Sequence, residues 1–454
     1  MTIENFTIFI ILGATGDLVD KKIIPAMYSL FIKGLITEKS IKIIAFARRD
    51  FNDGKYKEII DHSLSTYAMV NLKSVNLEPF YSLFDYHQGQ FDKKEDFITL
   101  ANKINVIQDS KNLCADKIFY MAVPTDLYDD VISHIVDTQL QDMCSKKSDI
   151  FSQLIIEKPF GSDLQTSMKL DSQLKTLFKE EQIYRIDHYL GKEIIREVIN
   201  FRKSNFLNKW NKDFIKSVSI STAEELGVEK RGAFFDSVGC LVDVGQNHLV
   251  EMMAILTMDL HEGIDFNYQT ERAKAMSKIK VFNDEEIKKY TYRAQYEGYR
   301  TIENVKPNSM METYFKVVAF LTDPKWEGVP FFLESGKRTG TTKKEMIVEF
   351  KDGEKVTFDF VKDPKIIINN KEGGQTFVNL HNLEKQDLQY VGEYATLFRE
   401  ALKRKRENFV SIAEIEAAWK YIDPIRQAWN NNLVPLDSYK PDDSSILSKA
   451  KFDL

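Results

Sequence analysis

Cysteine is scarce in this chain: three residues among 454, Cys114, Cys144 and Cys240, far apart in sequence. So few thiols exclude a disulfide-built scaffold and a zinc site of the paired-cysteine kind, and they suit a reducing, cytoplasmic setting. No apolar run reaches bilayer-spanning length, so no membrane partner is expected. Met1–Asn5 lacks the basic residues that open a signal peptide, and the short apolar run Phe6–Leu12 behind it reads as a core strand. Basic excess is missing too: the formal net charge is −6, with both signs mixed. A nucleic-acid binder would usually carry a surplus of Lys and Arg. A small anion stays open as a ligand, because local clusters rather than net charge bind it. Proline is sparse, at 11 residues, and there are no repeats, low-complexity stretches or evident flexible linkers.

What is present is ordinary globular composition, 43% hydrophobic and 29% charged, in a chain long enough for two cores. The first part alternates strand and helix patterns. Phe6–Leu12, Ile41–Ala47, Lys117–Val123 and Gln153–Glu157 are short, largely apolar runs of the kind that fill buried parallel strands, and Lys22–Lys33 reads as helix. This alternation predicts an α/β fold over residues 1–185, a Rossmann-like doubly wound parallel sheet. Farther on the period changes. Ser217–Ala223, Met346–Phe350 and Lys355–Phe360 alternate polar and apolar residues, the last two flanking Asp352-Gly353, a hairpin turn signal. Ala233–Met258 is one long helical stretch, and two more lie near Leu388–Lys405 and Ile412–Asn430. Residues 186–454 are therefore predicted to form an α+β domain, a large mostly antiparallel sheet backed by helices, with the polar tail from Pro435 loosely held.

Gly13-Ala14-Thr15-Gly16-Asp17-Leu18 follows the first strand and opens a helix. Glycines there let a pyrophosphate approach the backbone, and the helix N-terminus favours its charge. Val19 stands where the third glycine of the dinucleotide fingerprint belongs, and a plain tight turn would explain the motif as well. The second strand ends at Ala47-Arg48-Arg49, where a Rossmann unit meets the adenosine ribose. An acidic residue there would hold the 2′-hydroxyl of NAD. Two arginines instead match the 2′-phosphate of NADP, unless they are simply solvated. NADP is the expected cofactor, with NAD secondary.

Three segments carry candidate chemistry. Glu157-Lys158-Pro159-Phe160-Gly161 closes a buried strand, where ligands sit in open sheets. Lys158 there can donate to a sugar hydroxyl, or be an ordinary turn lysine. In Tyr184–Glu193, a helix starting near His188 would put His188 and Lys192 on one face. With Tyr189 and the helix N-terminus they could hold a phosphate, while Asp187 could orient a histidine from elsewhere. Asp243-Val244-Gly245-Gln246-Asn247-His248 places polar residues in an otherwise apolar helix. His248 suits a general base near neutral pH, or a core histidine with a backbone partner. Asp243 and His248 are five apart, roughly 140° around a regular helix, so both face one site only if Gly245 marks a distortion or a ligand spans that arc.

Together these segments resemble the glucose-6-phosphate dehydrogenase family. Gly13–Leu18, Glu157–Gly161, Arg185–Glu193 and Asp243–His248 look like its signatures, and Arg185–Glu193 matches without a change. Weaker likeness runs through Glu224, Glu297–Tyr299, Trp326–Pro330 and Ser335–Arg338, so the resemblance spans about residues 6 to 430. It implies oxidation of glucose 6-phosphate at C1 to 6-phosphogluconolactone with hydride transfer to NADP, the first step of the oxidative pentose phosphate pathway. The resemblance makes His248 the base that takes the C1 hydroxyl proton and Asp187 its partner. It gives the 6-phosphate to His188, Tyr189 and Lys192, and the sugar or its phosphate side to Lys158, Glu224, Asp243 and Lys337. It lines the cofactor site with Gly13, Thr15, Gly16, Asp17, Leu18, Arg48, Arg49, Pro124, Lys158 and Pro159, the last in cis. It implies no metal, and a homodimer or homotetramer.

The sequence also departs from the family pattern. Glu225-Leu226-Gly227 replaces Pro-Phe-Gly, Glu334 replaces an arginine, and Thr342 stands where many members carry a basic residue, with Lys343 adjacent. Val123-Pro124-Thr125 replaces a double proline. Two rivals remain: an oxidoreductase acting on another sugar, which should lack the Arg185–Glu193 stretch, and a non-catalytic sensor of sugar phosphate or nucleotide, which would tolerate loss of His248.

Overall fold

The computed structural model describes residues 5–142, 144, 150–205, 207–261, 266–361, 363–378 and 391–453. Of the sequence expectations, Met1–Glu4 and residues 388–390 of the expected helix lie outside the described residues. The chain divides into two compact units. The first comprises the described residues within Met1–Gly161, Met168–Lys192 and Glu384–Ile412; the second, those within Ser162–Ser167, Glu193–Leu383 and Ala413–Leu454.

The first unit is built on β1 (Thr7–Leu12), β2 (Ile41–Ala47), β3 (Phe84–Gln88), β4 (Asp116–Met121), β5 (Ser152–Glu157) and β6 (Ile183–Ile186). All pair in parallel, in the order β3-β2-β1-β4-β5-β6. β1 shows why a continuous apolar run is required: Phe9 and Ile11 enter one core, Ile8, Ile10 and Leu12 the other. Ile24–Ile32 contributes to the first core, Lys94–Lys111 and Tyr128–Asp137 to the second. β3 is an edge strand whose polar alternation hid it from the sequence reading.

Three expectations for this unit are corrected. The boundary placed at 185/186 falls at Lys192/Glu193, because β6 and the turns behind it stay with the parallel sheet. The helix Val391–Leu402, assigned by sequence to the second domain, belongs to the first unit. Its Phe398 ring packs against Phe9 and Tyr120, with centroids 5.5 and 5.6 Å away. The cysteines, read from sequence as reduced and forming no disulfide framework, include one bonded pair, Cys114 and Cys144, with Cα atoms 5.7 Å apart. Cys114 precedes β4 and Cys144 precedes β5, and the pairing Lys117↔Ser152 brings those strand starts together, which sequence spacing alone does not reveal.

The second unit carries β7 (Ile215–Ala223), β8 (Thr291–Tyr296), β9 (Tyr314–Ala319), β10 (Phe331–Gly336), β11 (Lys343–Phe350), β12 (Lys355–Asp359), β13 (Lys365–Asn369), β14 (Gln375–Val378) and β15 (Leu436–Tyr439). Their order is β14-β13-β12-β11-β7-β10-β9-β8-β15. The pairings are antiparallel except β7 with β10 and β8 with β15. Met346 and Val348 of β11 lie opposite Ile220 and Val218 of β7, so the alternation seen in sequence builds one apolar face. The hairpin turns at Asp352-Gly353, with Gly353 N–H donating to Phe350. The tail from Pro435 is not loose: β15 adds to the sheet, and the Tyr439 hydroxyl donates to the Lys337 carbonyl at 2.5 Å.

Candidate active site

Parallel pairing puts the carboxyl ends of β1 to β6 along one edge of the first unit, and the sequence-predicted residues that belong to this unit follow those strand ends. The strand order reverses between β1 and β4, the switch point where open sheets bind ligands. Gly13 turns the chain out of β1 at φ +98°, and a Cβ there would strike the Ala122 carbonyl behind β4. Gly13 and Ala14 N–H both donate to Phe46 O (2.9 and 3.0 Å), and Gly16 N–H donates to Gly13 O at 3.0 Å. A continuous helix then runs from Asp17 to Ile32, its turns wide (π-helical) over Val19–Ile23. Thr15 lies in this turn and Leu18 packs against the core. Asp17 is exposed and pairs with Lys21 at 2.7 Å, a contact that lowers its carboxyl below the usual range. A backbone loop pressed onto the sheet and opening a long helix fits a pyrophosphate. Arg48 and Arg49 are exposed just past β2, their guanidiniums 5.9 Å from the Phe91 and Phe51 ring centres. Pro124 is exposed at the end of β4.

β5 delivers Lys158, joined to Pro159 by the cis bond the sequence implied. Beside it, β6 delivers Asp187, 1% exposed, whose Oδ2 lies 3.9 Å from Lys158 Nζ. Asp187 Oδ1 accepts the Tyr189 N–H at 2.9 Å. The expected helix at His188 does not form. Residues 187–192 are consecutive turns, with Leu190, Gly191 and Lys192 N–H donating to the carbonyls of Asp187, His188 and Tyr189, and the helix begins at Glu193. Lys192 therefore does not share a helix face with His188. It lies over the Tyr189 ring, 5.1 Å from its centre, and donates to Glu393 Oε1 at 2.7 Å. Sequence reading missed one carboxylate here, Glu393, and named a second, Glu157, without a role. Burial raises Glu157, which accepts from Tyr120 at 2.5 Å and is bonded to Tyr394.

In the second unit, the long helix expected over Ala233–Met258 is broken and rewound. Gly239 has φ +71°, and the turns over Leu241–Leu249 are π-helical before regular helix resumes at Val250. This removes the spacing difficulty: in a π-helix the residue five positions on is the hydrogen-bonded neighbour one turn away, so Asp243 and His248 fall on one side. Asn247 fastens the segment, donating to Val242 O at 3.0 Å and accepting the His248 N–H at 2.8 Å. His248 is 6% exposed. Asp243 Oδ1 sits 3.3 Å from Arg231 Nη2. At the break, buried Glu312 accepts the Leu241 N–H at 2.9 Å, and burial lifts its carboxyl to about 7. Neither Arg231 nor Glu312 was legible from sequence.

β7, β10 and β11 converge on a second polar cluster. Glu224 follows β7 and is held between Lys337 (2.5 Å) and Lys344 (2.9 Å). Burial alone would raise the Glu224 carboxyl, but the two ammonium groups overcome it and hold it down at about 2. A carboxylate with a depressed value stabilises the fold above its ordinary value of 4.5 and loses that contribution as pH falls through about 2. Glu224→Gln should thus cost up to about 3 kcal/mol at neutral pH by linkage. The gap from wild type in denaturant unfolding should narrow on acidification from about 4.5 downward. A constant gap would show that the ion pairs contribute nothing.

With this geometry in view, residues 10–197 match the family of the glucose-6-phosphate dehydrogenase NAD binding domain, and residues 197–450 that of its C-terminal domain. The chain belongs to the glucose-6-phosphate dehydrogenase family. A glucose-6-phosphate 1-dehydrogenase of Streptococcus pneumoniae serotype 4 is 32% identical, over 98% of this chain and 94% of its own. One from Chlamydia muridarum is 31% identical, over 93% and 90%. A solved glucose-6-phosphate dehydrogenase in complex with its substrate glucose-6-phosphate superposes with a TM-score of 0.86 at 26% identity, covering 98% of this chain and 96% of that one. The first unit is accordingly a nicotinamide-cofactor domain.

Within the glucose-6-phosphate dehydrogenase family, this chain's departures now have physical settings. Glu225 and Leu226 lie exposed in the loop after β7. Glu334 is buried in β10, accepting from Tyr314 (2.5 Å) and Ser221 (3.0 Å), so its charge serves the sheet. Thr342 carries no charge, but Lys344 reaches Glu224 from β11. No helix among the described residues is long and apolar enough to cross a membrane.

Proposed function

We propose that this chain oxidises glucose 6-phosphate at C1 to 6-phosphogluconolactone, using NADP in preference to NAD. Family membership over nearly the whole chain carries the reading, joined to retention of His248, Asp187, Lys158 and Lys192. His248 takes the proton of the C1 hydroxyl, and Asp187 stabilises the imidazolium that results. The nicotinamide, when bound, supplies the acceptor for the hydride that leaves C1. Lys158 donates to the sugar beside that centre, with Glu224, Asp243 and Lys337 fixing the remaining hydroxyls. His188, Tyr189 and Lys192 hold the 6-phosphate. The turn Gly13–Leu18 receives the pyrophosphate, with Pro124 and Pro159 bordering the nicotinamide and Arg48 and Arg49 meeting the 2′-phosphate. Assembly into a dimer or tetramer accompanies this reading and is checked by mass in solution.

The near-ultraviolet absorbance of reduced nicotinamide tests the reaction, with glucose 6-phosphate and either cofactor. A rise with NADP, slower with NAD, supports it; silence from folded protein with both rejects it in favour of another sugar phosphate or a sensor. Lys192→Ala tests the phosphate assignment. Loss of one charge-assisted contact should raise KM for glucose 6-phosphate about 10- to 100-fold and barely alter turnover of free glucose. Equal damage to both substrates would remove Lys192 from the phosphate site.

A further inference from the structure

The cation assigned to the substrate phosphate already has an anion. Lys192 Nζ is 2.7 Å from Glu393 Oε1, and both side chains are largely sheltered, at 16% and 8% exposure. Glu393 arrives on the helix Val391–Leu402, far from Lys192 in sequence, and is seated by a close backbone approach: a Cβ on Gly191 would lie 2.7 Å from the Glu393 carbonyl oxygen. Its other carboxylate oxygen, Oε2, is buried with no hydrogen-bond partner among the described residues. The negative charge is thus fixed beside Lys192 and only partly compensated.

We propose that Glu393 is a specificity-determining residue, a resident counter-ion that the substrate's phosphate must displace from Lys192. The proposal rests on the reading of Lys192 as a phosphate donor. A phosphate dianion approaching the pair meets an ammonium whose field is opposed by the neighbouring carboxylate, instead of a bare cation. Wild-type affinity for phosphate is therefore held down, and small inorganic anions, which gain nothing from the sugar contacts, are turned away. Glu393→Gln keeps the shape and an acceptor oxygen for Lys192 while removing the charge. Phosphate binding then tightens, because the repulsion between two anions in a partly buried site has gone.

The experiment is steady-state kinetics of wild type, Glu393→Gln and Glu393→Asp with glucose 6-phosphate and with free glucose, together with inhibition by inorganic phosphate. In Glu393→Gln, KM for glucose 6-phosphate and the inhibition constant of inorganic phosphate should both fall, by about three- to tenfold. KM for free glucose should hold. Glu393→Asp, which keeps the charge one methylene farther back, should lie between, and it serves if the glutamine variant does not fold. An unchanged or raised KM for the sugar phosphate overturns the proposal, as does an equal shift for glucose, which would mark Glu393 as merely structural. Failure of Lys192→Ala to discriminate the two substrates would instead remove the underlying phosphate assignment, so the two failures are distinguishable.

Discussion

Replacing His248 by asparagine should lower kcat by about two to four orders of magnitude, the usual contribution of a positioned general base. KM for glucose 6-phosphate should move little, since the base acts mainly in the transition state. The geometry makes the experiment clean. His248 is buried, and its backbone N–H is held by the Asn247 side chain, a contact that replacing the ring leaves in place. Asparagine retains hydrogen-bonding groups but has no basic nitrogen near neutral pH. Three measurements check the result: turnover, substrate binding by calorimetry, and the thermal midpoint. Turnover lost with binding and midpoint intact supports the proton-transfer role. Turnover within about tenfold of wild type would remove His248 as the base and favour the sensor reading, in which the histidine is dispensable.

Replacing Arg48 and Arg49 together by serine should weaken NADP by about two to four orders of magnitude, because each charge-assisted contact to a phosphate contributes on the order of 1.5–3 kcal/mol. NAD, which lacks the 2′-phosphate, should lose at most a few-fold. Both guanidiniums lie over aromatic rings, Phe91 and Phe51. Those cation–ring contacts bias where the donors sit before a ligand arrives, so less freedom is lost on binding. The double lysine variant keeps the charge without the fork and should fall between. The readout is the ratio of kcat/KM values for the two cofactors. Equal losses for NADP and NAD would sink the 2′-phosphate assignment.

Strand and turn chemistry in the first unit was legible because its rules are local. Phe6–Leu12 can only be a strand buried on both faces, and the glycine turn behind it can only be tight. The hairpin at Asp352-Gly353 was legible for the same reason. What escaped depends on contacts distant in sequence. Periodicity made Val391–Leu402 a helix but could not say which sheet its Phe398 would cover. Cys114 and Cys144 meet only because β4 and β5 start side by side. The rewinding over Leu241–Leu249 is set by Gly239 and by Glu312, a carboxylate 71 positions from Leu241, whose N–H it accepts. The site followed the same division. Motif residues were found, whereas Glu393, Lys344 and Arg231, which pair with them, carry no pattern of their own.

The return of Val391–Leu402 to the parallel sheet has a consequence for the order of events during synthesis. About 200 residues separate Lys192 from that helix, and ribosomes add on the order of 5–20 residues per second. For about 10–40 seconds, therefore, the nascent amino-terminal half carries Phe9 and Tyr120 without the Phe398 ring that covers them. An amino-terminal fragment ending near Lys192 should consequently be sticky and a client for chaperones, and adding the segment 384–412 as a separate peptide should restore its solubility. A gene split for expression should not be cut at the apparent domain boundary.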